Sequence, residues 1–173
     1  QGGVEGLQGR PSCLHWCPLT HLCLVGFSTG GVGFLTLQSQ DPDKTAPYPL
    51  SYSHIPSNST GEVCRVITFK HSLQSRTRTA IPSPTRDVVL ALVGDANGAI
   101  SVWQISPPAG GPGLLSSHSH PGKIVYMHAC VVDEKRSQRM VVSACEGGFV
   151  RVWKVEACGE LTLSAFFRAT SDM

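Results

Sequence analysis

Five side chains able to bind a soft metal ion, Cys13, His15, Cys17, His21 and Cys23, fall within eleven residues near the start of the chain. Zinc takes about four such ligands in a tetrahedral array. If this stretch is extended, Cys13, His15 and Cys17 share one face, because side chains alternate along a strand. Against a metal, no close-spaced cysteine pair recurs elsewhere, and Cys23, Cys130 and Cys145 lie inside apolar runs. That usage favours small buried thiols in a reducing compartment over a metal site or a disulfide framework, and the seven cysteines are an odd number.

Other chemistry finds less support. Cysteines and histidines are plentiful, but no Gly-x-Ser-x-Gly elbow presents a nucleophile. The carboxylates are few and sit mainly in turns, as at Asp95, Asp133 and Glu134. No glycine-rich loop precedes a helix in the manner of a phosphate cradle. No catalytic residue, metal ligand or cofactor is therefore assigned. The segment from Lys70 through Arg76 and Arg78 to Arg86 is basic, rich in Ser and Thr, and free of carboxylates until Asp87. Such a stretch could meet an acidic partner, a phosphate backbone or a kinase, and Ser83-Pro84 has the form of a proline-directed phosphosite. Loop charge is often merely solvated, so the favoured reading is a connector. Asp133-Glu134-Lys135-Arg136, of mixed sign, reads as a polar turn.

The elements that would position these residues are short strands. Of 173 residues, 41% are apolar and only 15% charged, which describes a folded chain with a core. The 12 prolines and 18 glycines cluster between apolar runs, as turns require. No apolar run approaches the roughly 20 residues of a membrane span. The opening Gln-Gly-Gly-Val-Glu-Gly has neither an initiator Met nor the pattern of a secretory signal, and reads as the interior of a longer chain. An intracellular setting, cytoplasmic or nuclear, is expected, so the glycosylation-like Asn58-Ser59-Thr60 is discounted. A net charge of +2 does not suggest a nucleic-acid partner.

A repeat fixes the architecture. Residues 92–105 (LVGDANGAISVWQI) and 142–155 (VSACEGGFVRVWKV) carry one pattern, an apolar run, a tight turn and a second apolar run; 25–37 (VGFSTGGVGFLTL) is a fainter copy. Gly30, Gly98 and Gly148 align, as do Leu35, Trp103 and Trp153. Three units follow: 11–57, 58–120 with a polar insertion at 70–87, and 121–170, after a linker or the end of a preceding unit at 1–10. First strands are expected at Cys13–Cys17, Val63–Phe69 and Ile124–Val132, and second strands at Leu22–Gly26, Val88–Val93 and Met140–Ala144. Third strands are expected at Val32–Leu37, Ala99–Ile105 and Phe149–Val155, and looser fourth strands at Tyr48–His54, Leu114–Ser117 and Leu161–Arg168. The second strands are unbroken runs of Val, Leu and Ala, which predicts sheets covered on both faces. Asn97-Gly98 and Gly147-Gly148 supply hairpin turns. Nothing has helical periodicity, so the fold class is all-β.

These units resemble the blades of WD-repeat β-propellers, four strands in roughly 40–45 residues. Leu14-His15-Trp16-Cys17-Pro18 is similar to the family's first strand, and Ser143 through Trp153 to its second and third. The resemblance implies a buried hydrogen-bonded set of His, Ser or Thr, a turn Asp and Trp. Carried over, it selects His120, Ser143 and Trp153 in the third unit, with Gly147 in place of the Asp. The second unit keeps Trp103, with Asn97 at the Asp position and Val93 at the Ser position; the first has Leu35 for Trp and Thr29 for Asp. Gln104 and Lys154 stand where the family has Asp after Trp, so these are divergent blades with incomplete polar sets. Cys17 and Cys23 fall where such blades carry small core residues.

Three blades do not close a ring of about 4–8, so the resemblance implies a partial propeller, a piece of a larger one. It further implies a non-enzymatic scaffold or adaptor whose loops bind other proteins. The alternative is a nucleic-acid-associated or nuclear complex subunit using residues 70–86, and an enzyme ranks third. No membrane partner is expected.

Overall fold

A computed structural model describes residues 9–37, 50–55, 61–73, 86–105, 112–133 and 138–169. They form twelve strands and, among the described residues, no helix. The first sheet is β1 (Pro11–Cys17), β2 (Leu22–Phe27), β3 (Val32–Leu37) and β4 (Leu50–Ile55). The second is β5 (Val63–Leu73), β6 (Arg86–Asp95), β7 (Ala99–Gln104) and β8 (Gly113–Ser119). The third is β9 (Ile124–Asp133), β10 (Gln138–Cys145), β11 (Phe149–Val155) and β12 (Leu161–Arg168). Each is a four-stranded antiparallel meander with neighbours in chain order. The expected unit of four strands, three times over, is present.

The sheets stack, meeting chiefly through their first strands: β1 and β2 lie against β5, and β5 and β6 against β9. Two apolar cores fill the interfaces. Leu24, Val32 and Phe34 of the first sheet meet Val63, Val89, Ala91, Val93 and Trp103 of the second. Val88, Leu90, Leu92, Ile100 and Val102 of the second meet Ile124, Met127, Val141, Trp153 and Leu161 of the third. Successive β6 residues therefore serve opposite cores, and β6 is buried from Val88 to Asp95. A strand with two covered faces needs apolar residues at every position, which explains its unbroken run.

The expectation of two covered faces does not hold for the third sheet among the described residues. In β10, Val141, Ser143 and Cys145 are buried while Val142 and Ala144 are half-exposed, because only one face has a sheet over it. The free face is apolar all the same: Val142 and Ala144 stand beside Val150 and Val152, with Tyr126 and Phe167 exposed. At the other end of the stack, Leu14 and Trp16 of β1 are exposed, opposite in sense to Cys13, His15 and Cys17.

A second correction concerns the insertion expected to begin at Lys70. Here β5 runs on to Leu73 and β6 starts at Arg86, so Lys70 pairs with Val89, Ser72 with Asp87 and Leu73 with Arg86. Lys70 and Arg86 are strand residues rather than loop residues. Alternation of buried Phe69 and His71 with exposed Lys70 keeps the ladder worth extending. Arg76, Arg78 and Ser83 lie outside the described residues.

Two second-strand glycines set how closely the sheets approach. A Cβ on Gly26 would meet the Val63 side chain, the first residue of β5; a Cβ on Gly94 would meet Ile124, the first residue of β9. The same place in the repeat thus admits the start of the next sheet twice. Gly98, at φ +84°, closes the β6–β7 turn, and a Cβ there would collide with the carbonyl oxygens of His120 and Gly122.

Candidate functional site

His120, Ser143 and Trp153 come together in the core between the second and third sheets. Ser143 sits in β10, fully buried because its side chain faces the second sheet. Trp153, in β11, reaches back to it: its indole Nε1–H donates to Ser143 Oγ at 2.7 Å. His120 precedes β9 and is anchored by its backbone N–H, which donates to the Gly98 carbonyl at 2.7 Å. Its Nε2 shares a 2.7 Å hydrogen bond with the Ser143 hydroxyl. His120 Nδ1 is buried with no partner among the described residues. In either tautomer that nitrogen is unsatisfied among the described residues.

Two residues not singled out from sequence complete the surroundings. His118 packs on Trp153 with ring centroids 4.9 Å apart, and the Arg151 guanidinium lies 5.8 Å from the Trp153 ring centroid while donating to the Ser119 carbonyl. Burial pushes His120 down to about 4, and the Arg151 cation adds to the effect. Burial likewise lowers His118. Both rings stand neutral at pH 7. With His120 anchored on Gly98 of the second sheet and bonded to Ser143 of the third, the buried His–Ser–Trp set ties the two sheets together.

The second unit solves the same problem differently. Val93 has no hydroxyl, and Trp103 Nε1–H donates instead to Ser101 Oγ at 2.9 Å. Asn97 stands at the turn, but the carboxylate that organises it is Asp95, which is buried and accepts from the backbone N–H groups of Asn97 (2.9 Å) and Ala99 (2.8 Å). The Asp-Ala-Asn-Gly run carries that turn signal; only the two-residue offset hid it.

The five soft ligands at the N-terminal end do not converge. Among the described residues no three His, Cys, Asp or Glu side chains gather to hold a metal. Cys13, His15 and Cys17 do share the face of β1 that meets the second sheet, but His15 Nε2 engages Thr68 Oγ1 at 2.9 Å. Cys17 has no exposed surface. Burial opposes ionisation of its thiol, yet the polar groups of Thr20, Thr68 and Leu19 around it outweigh that and draw it below the ordinary value. Burial pushes the Cys13 and Cys23 thiols up. His21 is exposed, at φ 52°.

At the foot of the basic insertion, Lys70 Nζ pairs with Asp87 Oδ2 at 2.6 Å, and the Ser72 hydroxyl donates to Asp87 Oδ1 at 2.7 Å. A cavity of about 230 Å³ is lined there by Lys70, His71, Ser72, Asp87 and, from β10, Arg139. Among the described residues no helix is long and apolar enough to cross a membrane. No model of a known protein family matches the chain, and no curated protein matches it.

Proposed function

We propose that the chain supplies three blades of a WD-type β-propeller and acts as a non-enzymatic scaffold or adaptor that binds other proteins through its loops. The observation that carries the reading is the repeated relation of Gly26 to Val63 and of Gly94 to Ile124, which stacks each sheet on the next in one way. In this reading further sheets of a longer parent cover the apolar faces at the two ends of the stack. Stacked sheets with filled cores form a rigid frame, and binding then falls to the loops it holds. The setting is intracellular, cytoplasmic or nuclear, with no membrane partner.

The basic segment from Lys70 to Arg86 is the first surface to test. Its support for nucleic acid is weakened by Asp87, which neutralises Lys70. Fluorescence anisotropy with duplex DNA and single-stranded RNA at two salt concentrations separates the readings. A protein scaffold binds both weakly. Tight binding that falls steeply with salt overturns the scaffold reading in favour of a backbone-tracking one.

A further inference from the structure

We propose that the cavity at the seam of the second and third sheets receives a single carboxylate side chain from an acidic partner peptide. The assignment rests on the protein-binding reading above and gives it a site and a ligand chemistry.

Arg139 is the main observation. It is half-buried on β10, its Nε is enclosed without a hydrogen-bond partner, and no carboxylate among the described residues pairs with it. Its guanidinium lies 5.9 Å from the Phe69 ring centroid, which offers part of what a counter-ion would. A partly desolvated cation of this kind is unfavourable until paired. Its planar fork suits a carboxylate, which it can grip with two N–H groups.

The rest of the lining selects charge and size. Among the described lining residues, Lys70 and Arg139 against Asp87 leave one positive charge, with His71 neutral. One carboxylate balances it; a phosphate dianion would overshoot and meet Asp87. Water takes about 30 Å³ in the liquid, so a cavity of about 230 Å³ holds a carboxylate head with bridging waters.

His71 adds a proton link. It is buried, and its Nε2 is 2.9 Å from the Glu156 carbonyl oxygen. A carbonyl only accepts, so Nε2 carries the hydrogen and Nδ1, which has no partner, presents a lone pair. Burial and then the Arg139 cation hold His71 below its ordinary value, while the bond to Glu156 opposes them. Of the charged residues lining the cavity, Arg139 from β10 acts on its ring, while Lys70 from β5 and Asp87 from β6 alternate with it onto the other face of the hairpin and pair with each other. The Glu156 carboxylate is engaged by Lys154. A carboxylate entering beside Arg139 offsets that cation and lets His71 take a proton. Binding therefore tightens as pH falls from 7.5 toward 5.5.

The test is anisotropy of a fluorescein-labelled hexaglutamate peptide with the 173-residue protein in low salt. Arg139→Gln, which retains much of the side chain's length, should weaken binding about tenfold or more. Arg168→Gln removes the same charge from a guanidinium over Phe149 and should change affinity less than about twofold. Asp87→Asn should tighten binding severalfold by removing the carboxylate in the site. If Arg139→Gln does not fold, the Asp87→Asn gain and the pH dependence decide. Equal effects of Arg139→Gln and Arg168→Gln, tighter binding of a hexa-phosphoserine peptide, or no binding by wild type would overturn the assignment. Loss of binding on reversing Arg76, Arg78 and Arg86, with Arg139→Gln unaffected, sinks the cavity but leaves the scaffold reading standing.

Discussion

Trp153 donates its indole N–H to the buried hydroxyl of Ser143 across neighbouring strands, and through that hydroxyl it is tied to His120, 23 residues before Ser143. Ser143→Ala leaves the indole N–H and His120 Nε2 without their partner, at a cost of about 1–3 kcal/mol. Trp153→Ala removes the largest side chain of that core and should cost about 3–5 kcal/mol. His120→Ala should cost less than Trp153→Ala, since its Nδ1 is already unsatisfied. Urea unfolding followed by circular dichroism measures all three. A Trp153→Ala variant as stable as wild type would contradict the core assignment.

Acid should loosen the same interface. His120 titrates near 4 in the folded chain against about 6.5 unfolded, so the unfolded state binds more protons between those values. The sign follows: stability is complete above about pH 6.5 and falls as pH drops toward 4. A shift of this size corresponds to up to about 3 kcal/mol. His118, also lowered by burial, acts in the same direction. The urea midpoint at pH 5 should lie below that at pH 7.5, and His120→Gln should flatten the difference. A pH-independent midpoint would refute the enclosed, neutral histidine.

Adjacent valines on β10 face opposite ways. Val141 is fully buried against the second sheet, and Val142 lies on the free face. Val141→Thr places a hydroxyl in an apolar core and should cost about 1–3 kcal/mol. Val142→Thr should stay within about 0.5 kcal/mol. Equal effects in parallel urea titrations would mean that both faces are covered.

Gly98 is held at φ +84° against two carbonyl oxygens. Gly98→Ala should destabilise by about 1–3 kcal/mol, from strain and steric conflict together. Gly147→Ala, where an added Cβ touches only side-chain atoms at ordinary distances, should cost less. Reversal of that order would argue against the β6–β7 turn.

Where local chemistry decides the backbone, the sequence was readable. Asn97-Gly98 and Gly147-Gly148 mark turns because positive φ belongs to glycine, and the third and fourth strands of the last unit lie where the pattern puts them. Where packing between sheets decides, it was not. The Trp103–Ser101 bond, the stacking of His118 on Trp153 and the approach of Arg139 to His71 depend on which face each strand shows its neighbour. Ser143 and His120 could be paired only through a family resemblance, since a separation of 23 residues has no local signature. The longer β5–β6 hairpin was hidden because Lys70, Ser72 and Asp87 look like loop residues, although they simply occupy its outward face.

The claim that this chain binds other proteins through its loops, with the basic insertion the first of them to test, is tested most directly by charge reversal. Arg76, Arg78 and Arg86 are changed together to Glu, the melting temperature is checked against wild type, and partners captured by each are compared quantitatively by mass spectrometry. Arg86 is exposed, where charge contributes little to stability, and the melting temperature shows whether the triple variant is folded before partners are compared. The account predicts loss of acidic protein partners from the variant. Retrieval of the same proteins in the same amounts by a folded triple variant would contradict it and move the binding surface to other loops, such as those at 28–31 and 95–98.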